Sequence, residues 1–220
     1  MDFVTTADGS KTIYNEKIGE HYHSKHGALQ ESKHVFLQSG LQFYLDKEQK
    51  NKASILEIGF GTGLNFILTA EHCTSHDIAL EYCGIEAFPL DIQVIEGIGY
   101  RDYVGDELWY QYISSYQQAL EGQVVLNKHI NLQIAHTKVL EFDSKKTFDV
   151  IYFDAFAAIH QPEMWSDETL AHVTKFLSPS GVFVTYAITG NLKRSMKALG
   201  FQIEKAPGAP GKREMLRAIK

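Results

Sequence analysis

Three alternate glycines lie in a short run that could form a ligand-binding turn. The run reads Glu57-Ile58-Gly59-Phe60-Gly61-Thr62-Gly63 and closes an apolar segment typical of a buried strand. Glycines at alternate positions allow a tight turn and let a ligand approach the backbone without Cβ atoms in the way. A helical pattern begins at Leu64, and doubly wound sheets bind nucleotides where a strand gives way to a helix. The run therefore predicts a cofactor-binding loop.

The spacing of the glycines distinguishes between cofactors. A dinucleotide loop of the form G-x-G-x-x-G needs a third glycine where Leu64 stands, and here that glycine comes one residue earlier. Glu57 would also repel a pyrophosphate at the helix N-terminus. S-adenosylmethionine has no phosphate and carries a sulfonium and an ammonium, so an acidic loop suits it. The pattern E-x-G-x-G-x-G resembles motif I of class I methyltransferases, and S-adenosylmethionine is the predicted cofactor.

A second carboxylate lies where the ribose of such a cofactor would be held. The apolar run 82–85 ends in Glu86, about 20–25 residues beyond the glycines, where it could accept bonds from both ribose hydroxyls. His136 and Thr137 end the next strand and could contact the base, although a plain loop is the alternative. The predicted cofactor-binding residues are Glu57, Gly59, Phe60, Gly61, Thr62, Gly63, Asn65, Glu86, Ala87, His136, Thr137 and Asp154.

Asp154 is the predicted catalytic residue. It follows the apolar run 148–153, so a parallel sheet would place it beside the glycine loop. A carboxylate there could orient or desolvate an amine as it approaches the sulfonium methyl group, whereas the alternative is a simple turn cap. Methyl transfer from a sulfonium is an in-line displacement. Alignment and desolvation would supply most of the rate, and no nucleophile–base arrangement is required.

Aromatic and histidine residues surround these positions in the sequence. Phe156, Trp165 and Tyr186 follow strands and could form a pocket wall that stacks on a base, although each could equally belong to the core. The polar segment 20–26 contains three histidines that superficially resemble metal ligands. It lacks H-E-x-x-H spacing and a set of cysteines or carboxylates that would complete a coordination sphere. We therefore expect no metal and interpret the segment as a rim of the pocket.

Apolar, β-branched runs alternate with helical patterns after residue 53. This alternation predicts an α/β fold with a Rossmann-like, doubly wound sheet of seven mostly parallel strands. The predicted strands are 53–60, 80–87, 130–135, 148–156, 182–186, 201–206 and 215–219. The predicted helices are 64–72, 90–98, 167–176 and 191–199, with 178–181 as the stop before a strand.

Two segments lie outside this alternation. Residues 1–50 are interpreted as an extension packed on the core, with a hairpin that turns at Asp8-Gly9 and a helix from about Ser32 to Asp46. Residues 100–127 are interpreted as a helical insertion rich in tyrosine and tryptophan. The remainder of 51–220 is expected to be one methyltransferase domain, with no oxidase domain.

Composition and charge narrow the class of protein. No apolar stretch reaches the roughly 20 residues that cross a membrane, and the N-terminus lacks the basic start of a signal peptide, so a cytoplasmic location is expected. The net charge of −6 argues against general nucleic-acid binding. The charge is uneven, because residues 193–220 carry +6 and the remainder −12. A basic end permits contact with a polyanion, although surface charges usually only interact with solvent.

Several stretches together resemble the methyltransferase domain of the MnmC family of tRNA-modification enzymes. The most specific are 60–65 and the Pro-Glu-Met-Trp sequence at 162–165. Others lie at 8–10, 22–24, 27–36, 86–90, 154–157, 207–208 and 211–215, so the resemblance spans nearly the whole chain in one order. Ala158 stands where family members commonly have proline.

The resemblance implies methylation of the aminomethyl group on the wobble uridine of tRNA. Together with the pocket and charge arguments, it gives the predicted substrate-binding residues Glu31, Phe156, Glu163, Trp165, Tyr186, Lys212 and Arg213. tRNA phosphates would meet the basic C-terminal region, through Lys193, Arg194, Lys212 and Arg213. In bifunctional members a flavin-dependent oxidase domain follows. For this chain we expect no FAD and a possible separate oxidase partner. The alternatives are a methyltransferase of small-molecule amines, a non-catalytic cofactor-binding or RNA-binding module and, least supported, an NAD-linked oxidoreductase.

Overall fold

The computed structural model describes residues 3–220 and begins with a small antiparallel sheet. Its strands are β1 (Phe3–Thr5), β2 (Lys11–Asn15) and β3 (Glu20–His21). Asp8 closes the turn between β1 and β2, because its Oδ1 accepts bonds from the Ser10 N–H at 3.0 Å and from Thr6 Oγ1 at 2.7 Å. The hairpin prediction is confirmed, whereas the short third strand was not predicted.

A long helical segment joins this sheet to the body of the protein. It runs without a break through α1 (Ala28–Glu31), a π-helical part (Ser32–Gln42) and α2 (Phe43–Glu48). The predicted helix is confirmed and begins four residues earlier than expected. The segment lies directly on the central sheet, since a Cβ atom on Gly40 would be 2.9 Å from the ring of Tyr152. The N-terminal extension is thereby packed on the core.

The central sheet is mostly parallel, with the strand order β10-β11-β9-β8-β4-β5-β7-β6. β4 pairs in parallel with β5 and β8, and the pairs β5–β7 and β8–β9 are also parallel. β6, β10 and β11 are antiparallel to their neighbours. The strands are β4 (Lys52–Ile58), β5 (Ala79–Glu86), β6 (Val124–Val125), β7 (Ile130–His136), β8 (Phe148–Phe153), β9 (Leu177–Thr185), β10 (Gln202–Pro207) and β11 (Glu214–Ile219).

The predicted α/β class is confirmed, with two corrections to the sheet. It has eight strands rather than seven, because Val124–Val125 adds a short strand at the end of the predicted insertion. Two residues are too few to show an alternating pattern. β9 begins at Leu177, so residues 178–181 belong to an irregular strand rather than to a loop. Ser180 has a φ of 63°, and the pairing with β8 shifts register there.

Helices cover both faces of this sheet. The longer ones are α3 (Leu64–Ser75), α4 (Ile92–Gly97), α5 (Asp106–Glu121), α6 (Asp167–Thr174) and α7 (Gly190–Ala198), with 3₁₀ turns at Tyr100–Tyr103, Val139–Glu141 and Pro162–Trp165. Each predicted helix is present with ends shifted by a few residues. Along β4, Ile55 joins the core beneath α3 and α5, whereas Leu56 joins the core beneath α6 and α7. The alternation of a strand buried on both faces therefore gives the doubly wound arrangement.

The order of the strands determines where a site can form. From β4 the chain proceeds to β5 on one side and later to β8 on the other, so the direction of winding changes between β4 and β8. Ligands of doubly wound folds bind at the carboxyl ends of the strands at such a point. Within residues 3–220, no helix combines the length and the apolar character that crossing a membrane requires.

Candidate active site

The ends of β4, β5 and β8 meet at one edge of the sheet. The N–H of Gly59 donates to the carbonyl of Ile85 at 3.1 Å, and the N–H of Asp154 donates to the carbonyl of Ile58 at 2.9 Å. These backbone bonds fix the start of the glycine loop between its two neighbouring strands. Glu86, at the end of β5, lies on one side of the loop, and Asp154 lies on the other.

The glycine loop requires its glycines for two physical reasons. Gly59, Gly61 and Gly63 have φ values of 84°, 53° and 77°, in the left-handed region that side chains disfavour. A Cβ atom on Gly59 would lie 2.6 Å from the carbonyl oxygen of Asp154, which is shorter than any real contact. Gly59 therefore lets the loop pack directly against the backbone of Asp154.

Glu86 is held by the loop and retains capacity to bind a ligand. Its Oε2 accepts from the N–H of Gly61 at 2.8 Å, and its Oε1 accepts from the N–H of Phe88 at 2.9 Å. The side chain is half-buried. A carboxylate oxygen can accept more than one bond, so both oxygens remain able to accept from hydroxyl groups. Ala87 follows it in the same half-buried position.

Asn65 connects the buried acid of the loop to Asp154. Its Nδ2 donates to Glu57 Oε1 at 2.8 Å and to Asp154 Oδ2 at 2.7 Å. Its Oδ1 accepts from Ser32 Oγ at 2.5 Å, which brings the N-terminal extension into the site. Tyr82 donates to the other Glu57 oxygen at 2.8 Å.

Glu57 is completely buried behind the loop, with both of its oxygens engaged. Burial raises its pKa well above the ordinary range, and the nearby Asp154 adds to this effect, whereas the bond from Asn65 opposes it. In this structure Glu57 contacts Asn65 and Tyr82, and its predicted contact with the cofactor stays a prediction. Glu57 positions Asn65, which in turn holds Asp154.

Asp154 is half-buried and unusually basic for a carboxylate. Burial raises its pKa to about 8, and the negative charge of Glu31 acts in the same direction. The bond from Asn65 and the charge of Lys212 lower the pKa but do not offset these effects. A group with a pKa near the working pH is well suited to exchange a proton during a reaction.

An ion pair between the two ends of the chain lies beside Asp154. Lys212 Nζ is 2.5 Å from Glu31 Oε2, and Glu31 is buried. The same ammonium is 4.1 Å from the centre of the Tyr186 ring, whose hydroxyl donates to the carbonyl of Ala155 at 2.9 Å. The structure thus brings together three of the predicted substrate residues. Lys212 is engaged with Glu31 here, and its contact with RNA phosphates stays a prediction.

The other predicted aromatic residues form one side of the site. Trp165 Nε1 donates to the carbonyl of Phe156 at 2.8 Å, and its ring centre is 6.1 Å from that of Tyr186. Trp165 also packs edge-on against the buried Phe153, with ring centres 5.0 Å apart. Trp165 therefore packs against the core, and together with Tyr186 it forms a wall of the site beside Asp154.

Four predicted residues lie farther from this centre. His136 ends β7 directly opposite Glu86 in the sheet register, with an exposed side chain, and the N–H of Thr137 donates to the Glu86 carbonyl at 3.2 Å. These two stay candidates for contact with the base. The side chains of Glu163 and Arg213 are exposed and form no hydrogen bond or ion pair within residues 3–220. The structure does not bring them to Asp154.

The N-terminal strap, residues 20–24, supplies contacts that sequence reasoning did not assign to particular residues. Glu20 Oε2 accepts from the N–H of Ala157 at 2.7 Å, in the loop after Asp154. Tyr22 covers Gly61, since a Cβ atom there would lie 2.9 Å from its ring. His23 Nε2 is 2.9 Å from Thr62 Oγ1. The polar, histidine-rich composition of this segment was the available signal, and its interpretation as a pocket rim agrees with these contacts.

Comparison with known proteins identifies the family. A family model described as S-adenosyl-L-methionine-dependent methyltransferase matches residues 103–220, more than half of the chain. The chain belongs to this family. The methyltransferase is 32% identical over 97% of its length to the tRNA 5-methylaminomethyl-2-thiouridine biosynthesis bifunctional protein MnmC of Leptospira interrogans. It is 28% identical over 98% of its length to the protein of the same name from Magnetococcus marinus. It spans about a third of each relative, 34% in both cases.

Solved structures confirm the predicted methyltransferase fold. The crystal structure of MNMC2 from Aquifex aeolicus matches with a TM-score of 0.78 at 22% identity, covering 99% of this chain and 69% of that one. The sugar N-methyltransferase KedS8 from Streptoalloteichus matches with a TM-score of 0.52 at 12% identity, covering 87% of both chains. At these identities the likeness establishes the fold.

Proposed function

We propose that this methyltransferase transfers a methyl group from S-adenosylmethionine to the amine of an aminomethyl uridine in tRNA. The observation that carries the proposal is Asp154, a carboxyl group of raised pKa held by Asn65 beside the glycine loop. The substrate class is supported by the names of the MnmC relatives, which align with nearly the whole of this chain.

The residues at the sheet edge fit S-adenosylmethionine. Glu86 has oxygens able to accept from ribose hydroxyls, and the left-handed glycines Gly59, Gly61 and Gly63 form the tight turn that such a cofactor loop needs. His136 and Thr137 lie beside Glu86, in a position to contact the base of the cofactor. When bound, the cofactor supplies an electrophilic methyl group on a cationic sulfur.

Asp154 would prepare the amine for this methyl group. An aminomethyl group is largely protonated at neutral pH, and its nitrogen has no free electron pair until the proton leaves. The carboxylate form of Asp154 would accept that proton at an Oδ atom and hold the neutral amine in line. General base assistance of this kind contributes roughly 10²- to 10⁴-fold, and alignment contributes further.

The aromatic wall would hold the uracil ring and exclude water from the reacting atoms. Trp165 and Tyr186 are fixed by hydrogen bonds to the backbone of the loop after β8, at Phe156 and Ala155. Stacking of a base on an aromatic side chain is worth about 1–3 kcal/mol. Because the loop also carries Asp154, binding of the base and placement of the amine would be coupled.

The proposal implies a preceding reaction. The amine must be exposed on the tRNA before it can be methylated, and the curated relatives are bifunctional proteins. We therefore propose that a flavin-dependent oxidase supplies the aminomethyl uridine and acts as a partner enzyme. A tRNA substrate agrees with the expected cytoplasmic location.

The proposal is tested with undermodified tRNA and S-adenosylmethionine that is labelled in its methyl group. After incubation the tRNA is digested and its nucleosides are separated. We expect label in a methylaminomethyl uridine derivative. Label in small-molecule amines but in no tRNA nucleoside would contradict the proposed substrate while leaving the family assignment intact.

A further inference from the structure

A basic groove lies between α7 and β10, at the edge of the sheet. It has a volume of about 360 Å³ and is lined by Gly190, Lys193, Arg194, Lys197, Ile203 and Lys205. Four of these six residues are cations and none is an acid. Such a composition differs from the rest of this acidic chain, whose net charge is −6.

The secondary structure explains why the cations gather in the groove. Leu192 and Met196 fix the buried face of α7, which leaves Lys193 and Lys197, one turn apart, on the outer side. Along β10, successive side chains point to opposite faces, so Lys205 lines the groove. Glu204 points away and forms an ion pair with Arg217 at 2.7 Å. The acid closest in sequence to Lys205 is thereby directed to the other face.

The cations of the basic groove lack acidic partners. Across residues 3–220, none of Lys193, Arg194, Lys197 and Lys205 takes part in an ion pair, and Arg194 donates to the neutral side chain of Asn191. Like charges one turn apart on a helix repel each other and destabilise it slightly. A polyanion would relieve that repulsion by neutralising several charges at once.

The position of the basic groove relates it to the candidate active site. α7 begins at Gly190, four residues after Tyr186, which lies in the wall beside Asp154. The groove therefore starts near the site and extends away along α7, a helix of nine residues and about 13 Å. A strand whose base reaches Asp154 could continue along this path with several phosphates.

We propose that the basic groove binds the phosphodiester backbone of the RNA whose base enters the active site. The inference rests on the proposed function, which supplies RNA as the substrate. Lys197 and Lys205 join the phosphate contacts expected from the sequence, whereas Lys212, which is paired with Glu31, does not line the groove. Lys193 and Arg194 remain phosphate contacts, as the uneven charge of the sequence suggested.

The test compares two triple variants of equal charge. The groove variant is K193Q/K197Q/K205Q. The control variant is K52Q/K128Q/K145Q, which removes three exposed lysines at or before the amino ends of β4, β7 and β8. These amino ends lie opposite the carboxyl ends of the strands, where Asp154 is found. Binding of fluorescently labelled tRNA is measured by anisotropy over a range of salt concentrations, and methyl transfer is measured separately.

We expect the groove variant to lose more than about tenfold in tRNA affinity near 0.1 M salt. The slope of log affinity against log salt should fall by about 2, since each phosphate contact contributes roughly 0.7–0.9. Its KM for tRNA should rise while kcat at saturating tRNA stays near that of the wild type. The control variant should keep the affinity and the slope, and both variants should bind S-adenosylmethionine as the wild type does.

Equal affinities and equal slopes for the two variants would overturn the groove proposal. The failure of the proposed function is recognised separately. A wild-type chain that binds tRNA with the predicted loss in the groove variant, but methylates no tRNA nucleoside, contradicts the proposed reaction and retains the groove. A wild-type chain that binds no tRNA overturns both proposals.

Discussion

Replacing Asp154 with asparagine separates proton acceptance from positioning. The amide oxygen of the new side chain can still accept the 2.7 Å bond from Asn65 Nδ2, and the two side chains have nearly the same size. The loop after β8 should therefore keep its shape. What the variant loses is a group that can take a proton from an amine.

The expected loss of rate follows from that single change. General base catalysis contributes roughly 10²- to 10⁴-fold, so single-turnover methyl transfer by D154N should slow by about this factor. The corresponding increase in activation free energy is about 2.7–5.5 kcal/mol. The affinity for S-adenosylmethionine should change by less than about tenfold, because the bonds of the glycine loop and Glu86 remain.

The pH dependence gives a second, independent readout. Burial raises the pKa of Asp154 to about 8, so the carboxylate fraction, and with it the rate of the wild type, should rise with pH up to that region. D154N should lack this rise. Loss of the proton from the amine substrate itself would affect the pH profiles of both proteins. Comparing the profiles of the wild type and D154N therefore distinguishes it from the titration of Asp154.

At high pH, D154N should be more stable than the wild type although it is less active. The folded protein holds the Asp154 proton up to about pH 8, whereas the unfolded chain releases it near the ordinary aspartate pKa of 3.8. The carboxyl therefore contributes most stability at low pH and loses it as pH rises through this window. D154N avoids that loss and should unfold at a higher temperature than the wild type at pH 9. A gain of 1 kcal/mol corresponds to about 2–4 °C for a chain of this size.

Asp149 provides the matched control on the same strand. It lies near the other end of β8, where its Oδ2 accepts from the N–H of Ser54 at 2.8 Å and its Oδ1 accepts from Tyr44 at 2.5 Å. D149N should retain methyl transfer per folded molecule. The reasoning is refuted if D154N keeps more than a tenth of the wild-type rate, or if its pH profile coincides with that of the wild type.

Three further predictions concern the residues around Asp154. E86A should weaken S-adenosylmethionine binding at least tenfold in calorimetry, because hydrogen bonds to a charged group are worth about 1.5–3 kcal/mol; an unchanged Kd would remove Glu86 from the cofactor site. Y22A uncovers Gly61 and should speed cofactor dissociation in stopped-flow experiments. An unchanged dissociation rate would show that Tyr22 does not retain the cofactor. K212M should move the rise of the pH profile to higher pH and E31Q to lower pH, since these charges lower and raise the pKa of Asp154, and shifts in the same direction would contradict this account.

The strand ends of the site were predictable because local patterns determine them. An apolar run followed by an acid identified Glu86 and Asp154, and the spacing of the glycines identified the loop between them. A parallel sheet then brings these ends together without any knowledge of the intervening segments. The doubly wound fold followed from the same alternation of apolar runs and helical patterns.

Contacts between distant parts of the chain were not predictable in this way. Lys212 and Glu31 are separated by 181 positions, and no local pattern connects them. The same holds for Tyr22 over Gly61 and for Asn65 between two acids. These contacts depend on how the extension packs across the sheet edge, which a pattern of neighbouring residues does not contain.

Glu57 shows that a motif can identify a loop without showing which groups its acidic side chain contacts. Its spacing from the glycines identified the loop, and an acidic side chain suits a cationic cofactor. In the fold, however, the side chain points into the core, where Tyr82 and Asn65 occupy both of its oxygens. The alternation of β4 directs this side chain into the core beneath α3, where the carboxyl group contacts Asn65.

Nucleoside analysis of methylated tRNA tests the central claim most directly. Undermodified tRNA is incubated with labelled S-adenosylmethionine and either the wild type, D154N or D149N, and the labelled nucleoside is identified by mass spectrometry. The account predicts a methylaminomethyl uridine derivative with the wild type and D149N, formed at least about a hundredfold more slowly with D154N. Label on a ring or ribose atom, or no labelled nucleoside with the wild type, would contradict the account.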